Sequence, residues 1–347
     1  MTNNPLISVL VSTYNSIEFI EGKIKDLIDQ TIFERIEIII INSGSLQNED
    51  EVIRKYLKIY SNIKYIFTEE RESIYKAWNR GIKLSSGEFI TNANTDDRLK
   101  NDAFEILSSV LQDKPDVALV YGDQYITSIS NQSFVEAELN SRSKAYSSPD
   151  YSYFNQLDRG LVFSQPMWRA SLHSKDNIWF NEDYEICGDY EFQLKISQKY
   201  KLFHISKLLG TFYLSPQRRN KSYNNLKNVI IERQKISEPY IRDYILNCKN
   251  DYLIEIINKK LKTYTNLPIP VFYLIKRFRL LINNSLVYNK YFYTIEFAYF
   301  FSILTFLKLG HKNKAIKLSK KILKYSYSER IDIEKRKLLK EFLGKIT

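Results

Sequence analysis

Apolar runs alternate with amphipathic segments along the N-terminal third of the chain. Short runs rich in Ile and Val are typical of strands that are buried on both faces. Segments with apolar residues three and four positions apart are typical of helices that bury one face. The predicted strands cover residues 6–13, 36–41, 63–67, 88–92 and 117–121, and the predicted helices cover residues 18–30, 49–60, 75–84 and 103–111.

The alternation of strands and helices with short connections predicts an α/β fold, in which helices cover both faces of a mostly parallel sheet. Polar clusters follow three of the predicted strands, at residues 12–15, 42–45 and 94–97. Ligands of such sheets bind beyond the carboxyl ends of the strands. We therefore expect the three polar clusters to meet in one ligand-binding crevice.

The second part of the chain has a different pattern. The regular alternation ends near residue 125, and the next predicted element is a helix over residues 189–200. From about residue 225 the chain is rich in basic and aromatic residues and has mainly helical periodicity. We therefore predict two domains, an α/β domain over residues 1–225 and a basic, aromatic-rich helical domain over residues 226–347.

The positive charge of the chain is concentrated in the predicted helical domain. Residues 226–347 contain 25 Lys and Arg against 10 Asp and Glu, whereas residues 1–225 contain 26 against 30, and the whole chain has a net charge of +11. A basic half of this kind predicts contact with an anionic membrane surface, a phosphate-bearing acceptor or nucleic acid. No recognised nucleic-acid-binding motif accompanies the charge, which disfavours nucleic acid as a partner.

Two segments of the predicted helical domain bear on membrane attachment. Residues 291–310 are almost wholly apolar and near the length of a membrane span, but Glu296 favours a buried bundle helix, with an interfacial helix as the alternative. Residues 312–324 have a basic amphipathic pattern that suits an anionic membrane. With no secretion signal and only Cys187 and Cys248 as cysteines, the chain is expected in the cytoplasm, with the inner face of the cell membrane as an alternative location.

Two groups of carboxylates are candidates for chemistry. Asp96 and Asp97 follow a predicted buried strand, where adjacent carboxylates can hold a hard cation that bridges phosphate oxygens. Asp189 begins the predicted helix over residues 189–200, where it can act as a general base. In both places Asp can also serve as a helix cap. The histidines show no metal-ligand spacing, and the sequence has no nucleophile motif, phosphate-binding loop or GxGxxG turn.

Six segments of the chain resemble the family 2 glycosyltransferases, which have the GT-A fold and an inverting mechanism. The segments are ISVLVSTYNS, IIIINSGSLQNE, RESIYKAWNRGIKLSSGEFITNANTDD, VALVYGDQYIT, QPMWRASLH and GDYEFQLKIS. They occur in the family's order and with its usual spacing over residues 6 to about 215. The resemblance implies a GT-A catalytic domain, with a Rossmann-like, mostly parallel sheet flanked by helices, followed by the mainly helical domain.

The resemblance also implies which residues bind the donor. Many members of the family carry Asp where this chain has Asn42, and the first acidic position of the family's metal motif is Asn94 here. The implied metal ligand is Asp96, which would hold a divalent cation, either Mn or Mg. The implied nucleotide-binding residues are Thr13, Tyr14, Asn42, Arg71, Asn79 and Asp96.

The resemblance places the catalytic base at Asp189. The implied reaction is a single displacement, in which Asp189 takes the proton of an acceptor hydroxyl that attacks the anomeric carbon as the nucleoside diphosphate leaves. The implied acceptor site is flanked by Gln165, Trp168 and Arg169. The indole of Trp168 suits stacking on a sugar ring, and a place in the core is the alternative.

The expected function is transfer of a sugar from a nucleotide-diphosphate donor to a glycan or lipid-linked acceptor during surface polysaccharide assembly. A UDP-sugar is the expected donor. The alternative is a protein that binds sugar nucleotides as a scaffold without turnover. Asn42 and Asn94 motivate this alternative, since both stand where the family usually has acids.

Overall fold

The computed structural model describes residues 4–216, apart from 141, 142, 149, 154, 155, 158, 159 and 163, together with residues 228, 229, 231–233, 235–237, 239, 240 and 313. Nearly all of them belong to the first of two compact units, Met1–Tyr240, and the second unit is Ile241–Thr347. The domain boundary at residue 225 stays a prediction, and the predicted segments 291–310 and 312–324 lie outside the described residues except for residue 313. No helix in the described part of the chain is long and apolar enough to cross a membrane.

The strands and helices predicted for residues 6–121, and the helix predicted for residues 189–200, are confirmed, although several of their ends differ. The strands are β1 (Ile7–Thr13), β2 (Ile36–Ser43), β3 (Ile63–Thr68), β4 (Phe89–Asn92), β5 (Arg98–Leu99), β6 (Val117–Thr127), β7 (Lys144–Tyr146), β8 (Met167–Arg169) and β9 (Lys201–Tyr213). The helices are α1 (Ile17–Ile28), α2 (Glu49–Leu57), α3 (Ile74–Leu84), α4 (Ala103–Asp113), α5 (Phe134–Leu139), α6 (Ser171–Ser174) and α7 (Gly188–Ser197), with a 3-10 turn at Phe33–Arg35.

The described strands form one mixed sheet in the order β3-β2-β1-β4-β8-β6-β9-β5, with β7 paired to β6. β1 to β4 run parallel, as the sequence predicts. β8 lies antiparallel between β4 and β6, so β6 runs in the same direction as β4 without touching it. β9 is parallel to β6 and antiparallel to β5. The parallel part of the sheet was predicted, whereas β5, β7, β8 and β9 were not.

The core lies on both faces of the central strands. Side chains alternate between the two faces of a strand, so Val9 and Val11 of β1 pack on one side, with α1, α2 and α4. Leu10 packs on the other side, with α3, β8 and α7. Both faces of β1 and β2 are therefore covered by other elements, which explains why the sequences of these strands are nearly continuous apolar runs.

The long strand β9 brings its end close to the polar segment 94–97. The register of β9 against β6 shifts around Asp123, and such irregularities bend a strand pair. The bend brings β9 onto β5, where a Cβ atom on Gly210 would lie only 2.4 Å from the carbonyl oxygen of Arg98. Only Gly permits this approach, and it allows the Tyr213 backbone N–H to reach a carboxylate of the segment at 3.1 Å.

Candidate active site

The three polar clusters meet at the carboxyl edge of the sheet, as the sequence predicts. β1, β2 and β4 are parallel neighbours, so their carboxyl ends lie side by side. The backbone N–H of Asn15 donates to Ser45 Oγ at 2.7 Å, which joins the clusters after β1 and β2. The backbone N–H of Ala93 donates to the Leu10 carbonyl at 2.8 Å, which holds the start of segment 94–97 against β1.

A buried carboxylate that the sequence did not reveal organises the first of these clusters. Glu49, at the start of α2, accepts from the Ser16 backbone N–H at 2.6 Å and from Ser45 Oγ at 2.7 Å. Ser16 Oγ in turn lies 2.8 Å from Thr13 Oγ1. Thr13 is only 1% exposed. Its hydroxyl therefore fixes the turn that carries Tyr14, and this bond holds the end of β1 in place.

Tyr14 and Arg71 are brought together at the rim of the crevice. The guanidinium carbon of Arg71 lies 4.1 Å from the centre of the Tyr14 ring, a cation–π distance. Gly44 allows this arrangement because its φ is +66°, and a Cβ there would lie 3.0 Å from the Glu69 carbonyl oxygen. The exposed Arg71 thus offers a positive charge beside an aromatic ring, and both suit a nucleotide.

Asn42 is buried, and its amide is used within the protein. Its Oδ1 accepts from the Ser45 backbone N–H at 3.0 Å, and its Nδ2 donates to the Tyr65 hydroxyl at 3.1 Å. The Tyr65 hydroxyl donates its own proton to Asp50, since that bond lowers the pKa of Asp50. The hydroxyl can then only accept from residue 42, and an amide supplies the donor that a carboxylate lacks. This explains the departure from the family's usual Asp.

Asp97 is buried at 1% exposure and engaged by three donors. Its oxygens accept from Ser164 Oγ at 2.5 Å, from Asn94 Nδ2 at 3.2 Å and from the Tyr213 backbone N–H at 3.1 Å. Burial raises the pKa of this carboxyl, and the Ser164 bond opposes the rise. Asp97 thus links the polar segment 94–97 to β9 and to Ser164, which precedes β8. The Asn94 side chain donates a further hydrogen bond to the same carboxylate.

Asp96 is the carboxylate that stays available to a ligand. It is partly exposed, and among the described residues no other residue donates a hydrogen bond to its side chain. Burial, with a smaller contribution from the charge of Asp97, raises its pKa to about 7. A nearby cation would oppose that rise, because it favours the charged form.

These residues fit a divalent cation that a phosphate ligand helps to hold. No group of three His, Cys, Asp or Glu that could hold a metal occurs among the described residues. Mg²⁺ is commonly bound by one or two carboxylates and by substrate phosphates, and it does not require a closed protein cage. Asp96 would be the protein ligand, and the diphosphate of a donor would complete the coordination.

Asp189 lies in the first turn of α7, where its oxygen accepts from the Tyr190 backbone N–H at 2.8 Å. The residue is exposed to solvent on one side, and partial desolvation of its carboxyl group by the neighbouring protein raises its pKa. The charge of Arg233 and the hydroxyl of Tyr75 oppose the rise. Asp189 is therefore a carboxylate with directed partners at a helix start, which suits a general base.

Three of the predicted site residues do not point into the crevice. The side-chain amide of Asn79 donates to the Phe180 carbonyl and to Glu182 Oε1, both at 2.9 Å, and accepts from the Phe180 backbone N–H. These bonds hold the loop at residues 180–182, and the placement of Asn79 at the nucleotide stays a prediction. Trp168 is 1% exposed and packs on the Phe192 ring, which leaves no face for a sugar. This is the core alternative that the sequence left open.

Arg169 lies at the edge of the sheet opposite the crevice. Its guanidinium donates to the carbonyls of Val117, Leu111 and Lys114, at the start of β6 and the end of α4. Because β8 is antiparallel to β4, Arg169 pairs with Phe89, the first residue of β4, at the edge opposite the crevice. In the structure Arg169 caps carbonyls at the end of α4, and its role as an acceptor-site residue stays a prediction.

Gln165 lies behind the acidic segment. Its Oε1 accepts from the Lys23 ammonium at 3.0 Å, and its backbone has a left-handed φ of +59°. Lys23 is completely buried, and burial lowers its pKa to about 8. Asp26, Asp97 and the more distant Asp96 oppose this shift. The sequence does not indicate that Lys23 is buried, because a Lys on an amphipathic helix is normally at the surface.

Comparison with known proteins agrees with this geometry. Residues 8–170 match the family described as Glycosyl transferase family 2. Chondroitin synthase from Pasteurella multocida is 27% identical over 316 residues, which cover 82% of this chain but only 31% of that synthase. S. aureus TarS 1–349 in complex with UDP has a TM-score of 0.51 at 17% identity, covering 73% of this chain and 78% of that one.

A second solved structure has the same fold. The mannosyltransferase PcManGT from Pyrobaculum calidifontis, in complex with GDP-Man and Mn²⁺, has a TM-score of 0.50 at 16% identity and covers 72% of this chain and 66% of that one. The sheet of this chain thus has the GT-A fold that these two structures share. Residues 8–170, just under half of the chain, are thus similar to glycosyl transferase family 2.

Proposed function

We propose that the protein transfers a sugar from a nucleoside diphosphate donor, a UDP-sugar above others, to a hydroxyl of a glycan or lipid-linked acceptor. The observation that carries this proposal is the contrast between two adjacent carboxylates at the crevice. Asp97 is engaged by three donors, whereas Asp96 has none from another described residue. Asp96 is thereby left to bind a ligand at the strand ends, where a sugar nucleotide would bind.

The crevice supplies the other groups that a donor needs. Tyr14 and Arg71 form the rim, where the ring can stack on a nucleobase and the guanidinium can meet phosphate. A divalent cation bound at Asp96 would offset the negative charge that grows on the leaving diphosphate. Asn42 keeps its role in shaping the turn beside Tyr65, and it does not have to contact the base for this crevice to form.

Asp189 is proposed as the general base of a single displacement. Its carboxylate takes the proton of the acceptor hydroxyl while that oxygen forms a bond to the anomeric carbon. The bond from the anomeric carbon to the diphosphate oxygen breaks in the same step, so the sugar inverts its configuration and the nucleoside diphosphate leaves. The Tyr190 backbone N–H, the Arg233 charge and the Tyr75 hydroxyl favour the ionised form of the base and oppose the rise in its pKa that burial causes.

The comparisons support the class of donor and acceptor. One structural neighbour was solved with UDP and the other with GDP-Man and Mn²⁺. Chondroitin synthase from Pasteurella multocida, one of the relatives in sequence, is named for the synthesis of a polysaccharide. We therefore propose a role in surface polysaccharide assembly on the cytoplasmic side, with the inner face of the cell membrane as the place where lipid-linked acceptors would be met.

A donor panel tests this function. Purified full-length protein is incubated with UDP-, GDP- and dTDP-sugars and candidate acceptors, with Mn²⁺, Mg²⁺ or a chelator, and nucleoside diphosphate release is quantified. We expect cation-dependent release from one donor, lost in Asp96→Ala and kept in the control Asp102→Ala, whose carboxylate pairs with Lys100 at the surface. Tight donor binding without release under every condition would instead favour the scaffold function.

A further inference from the structure

A segment beyond the family match packs directly on the start of α7. Its described residues, 228, 229, 231–233, 235–237, 239 and 240, are helical and belong to the same unit as the sheet. Ile236 is buried at 1% exposure, and the Cys187 thiol lies 3.8 Å from the Val229 carbonyl oxygen. The segment thus packs against the residues that precede α7, the helix whose first turn carries Asp189.

Glu232 binds the backbone that leads into Asp189. Its carboxylate accepts from the backbone N–H groups of Glu185 at 2.8 Å, Ile186 at 2.9 Å and Cys187 at 2.6 Å. Cys187 precedes the helix and makes no side-chain capping bond of its own. Glu232 therefore holds the three backbone N–H groups that lead into the helix through charge-assisted bonds, including the N–H of the N-cap Cys187, which an acidic N3 residue binds in a capping box.

Arg233 lies on the other side of the same helix start. Its guanidinium carbon is 4.4 Å from the centre of the Tyr190 ring. Its Nη2 atom lies close to Gly160, where a Cβ atom added to the glycine would be only 3.1 Å from Nη2. Nη2 is buried and has no hydrogen-bond partner within the described part of the chain. The guanidinium is partly buried and packs on Tyr190, and no carboxylate pairs with it within the described part of the chain, so its charge acts on the Asp189 carboxylate.

We infer that Glu232 and Arg233 are positioning residues for Asp189, with Glu232 fixing the backbone that leads to the carboxylate and Arg233 placing a positive charge on the first turn of the same helix. This inference rests on the proposed role of Asp189 as the base. It places part of the catalytic centre more than sixty residues beyond the end of the family match at residue 170. An anchor that only stabilises the fold would need the three backbone bonds but not the unpaired charge beside Asp189.

The groups that face Asp189 come from three directions. Tyr75 reaches it from α3, Arg233 from the C-terminal segment, and Cys187 from the preceding turn. Burial raises the pKa of the Cys187 thiol to about 12, so the thiol is neutral at physiological pH. Arg233 is therefore the positive charge that acts on the carboxylate from these directions, and removal of that charge should make Asp189 easier to protonate.

The test measures protonation of Asp189 directly in the full-length protein. Aspartate side chains are labelled with ¹³C at the carboxyl carbon, and the Asp189 resonance is assigned by its loss in Asp189→Asn. The resonance is titrated against pH in the native protein and in Arg233→Met, Arg233→Lys and Lys235→Met. The last variant is the control, because its ammonium belongs to the same segment but lies over the Tyr184 ring.

We expect the Asp189 carboxyl to titrate at higher pH in Arg233→Met, close to its native pH in Arg233→Lys, and unchanged in Lys235→Met. An unchanged titration in a folded Arg233→Met protein would overturn the role of Arg233. For Glu232, we expect Glu232→Gln to lower kcat by roughly 10- to 100-fold with little change in donor KM, since small misplacement of a catalytic group is costly. An unchanged kcat would overturn its role.

The outcomes separate this inference from the proposed function. If the native protein releases no nucleoside diphosphate while Arg233→Met still moves the Asp189 titration, the positioning stands and the transferase function fails. If the native protein transfers sugar and the titration does not move, the function stands and the positioning by Arg233 fails. Thermal unfolding of each variant shows whether it is folded, and Arg233→Lys gives a second variant if Arg233→Met does not fold.

Discussion

Gly188 and the Tyr75 ring are in such close contact that no side chain fits between them. A Cβ atom on Gly188 would lie 2.7 Å from Tyr75 Cε2 and 2.9 Å from its Cζ. The ring cannot move away easily, because it is 2% exposed and stacks on Phe180 with 6.0 Å between centroids. This contact places the Tyr75 hydroxyl beside the first turn of α7, where it reaches Asp189.

Gly188→Ala is therefore expected to destabilise the protein, although Gly to Ala in a helix normally stabilises by about 1 kcal/mol. Overpacking a full site costs about 1–3 kcal/mol, so we expect a lower free energy of unfolding and a lower kcat. Chemical denaturation and nucleoside diphosphate release measure the two effects. In a Tyr75→Ala background the same substitution should become neutral or stabilising, and a stabilising effect in the native background would contradict the contact.

Lys23→Met tests the cost of a buried charge. Burial lowers the pKa of Lys23 from 10.5 to about 8, so between these pH values the folded state binds fewer protons than the unfolded state. The cost of charging Lys23 is fully present below pH 8 and vanishes above pH 10.5, and it amounts to roughly 3 kcal/mol at pH 7. We expect Lys23→Met to raise the free energy of unfolding at pH 7, with a smaller gain as the pH approaches 10.5.

The matched control for this experiment is Lys25→Met on the same helix. Lys25 is exposed and pairs with Glu21 at 3.3 Å, a kind of surface ion pair that contributes little to stability. Its substitution should have a small effect that does not vary between pH 7 and pH 10. A loss of stability at pH 7 in Lys23→Met would show that the ammonium is more stabilising than its burial implies.

Asp96 and Asp97 are expected to respond differently to the same substitution. Asp96→Asn should weaken cation-dependent binding of UDP by about 10- to 100-fold, as lost charge-assisted contacts of about 1.5–3 kcal/mol imply, with little change in thermal stability. Asp97→Asn should destabilise the fold, since three donors face its oxygens. Calorimetric titration of UDP with Mn²⁺ or chelator, and thermal unfolding, measure both. Equal thermal loss in the two variants would refute the division of roles.

Asn42→Asp is expected to destabilise the turn even though it restores the acid common in the family. The Tyr65 hydroxyl already donates to Asp50, so a carboxylate at position 42 would face an oxygen without a proton between them. We expect a loss of about 1–3 kcal/mol in the free energy of unfolding. In a Tyr65→Phe background the loss should be smaller, and equal losses in both backgrounds would exclude Tyr65 as the cause.

The sequence predicted the parallel half of the fold and the crevice, because those features have local signatures. β1, β2 and β4 are continuous apolar runs that end in polar clusters, and parallel pairing brings those ends together. β8 was missed because it is only three residues long and is specified by pairing with β4 and β6. β9 was missed because bulges interrupt its regular pairing with β6.

The positions of individual side chains depend on direction and distance, which a motif does not encode. Trp168 and Arg169 are adjacent in a matched segment, yet one lies in the core and the other caps α4 at the far edge. Glu232 lies beyond the predicted boundary at residue 225, and only the folded chain shows its bonds to residues 185–187. Asp96 and Asp189 have roles that stay predictions, now with geometry that supports them.

The most direct test of the account compares donor binding and sugar transfer in Asp189→Asn. The substitution keeps the size of the side chain and removes the base, so the donor should bind with its native Kd in the presence of the cation. Nucleoside diphosphate release with acceptor present should fall by about 10² to 10⁴-fold, the usual contribution of a general base. Native rates of release from Asp189→Asn, with donor binding intact, would contradict the assignment of Asp189 as the base.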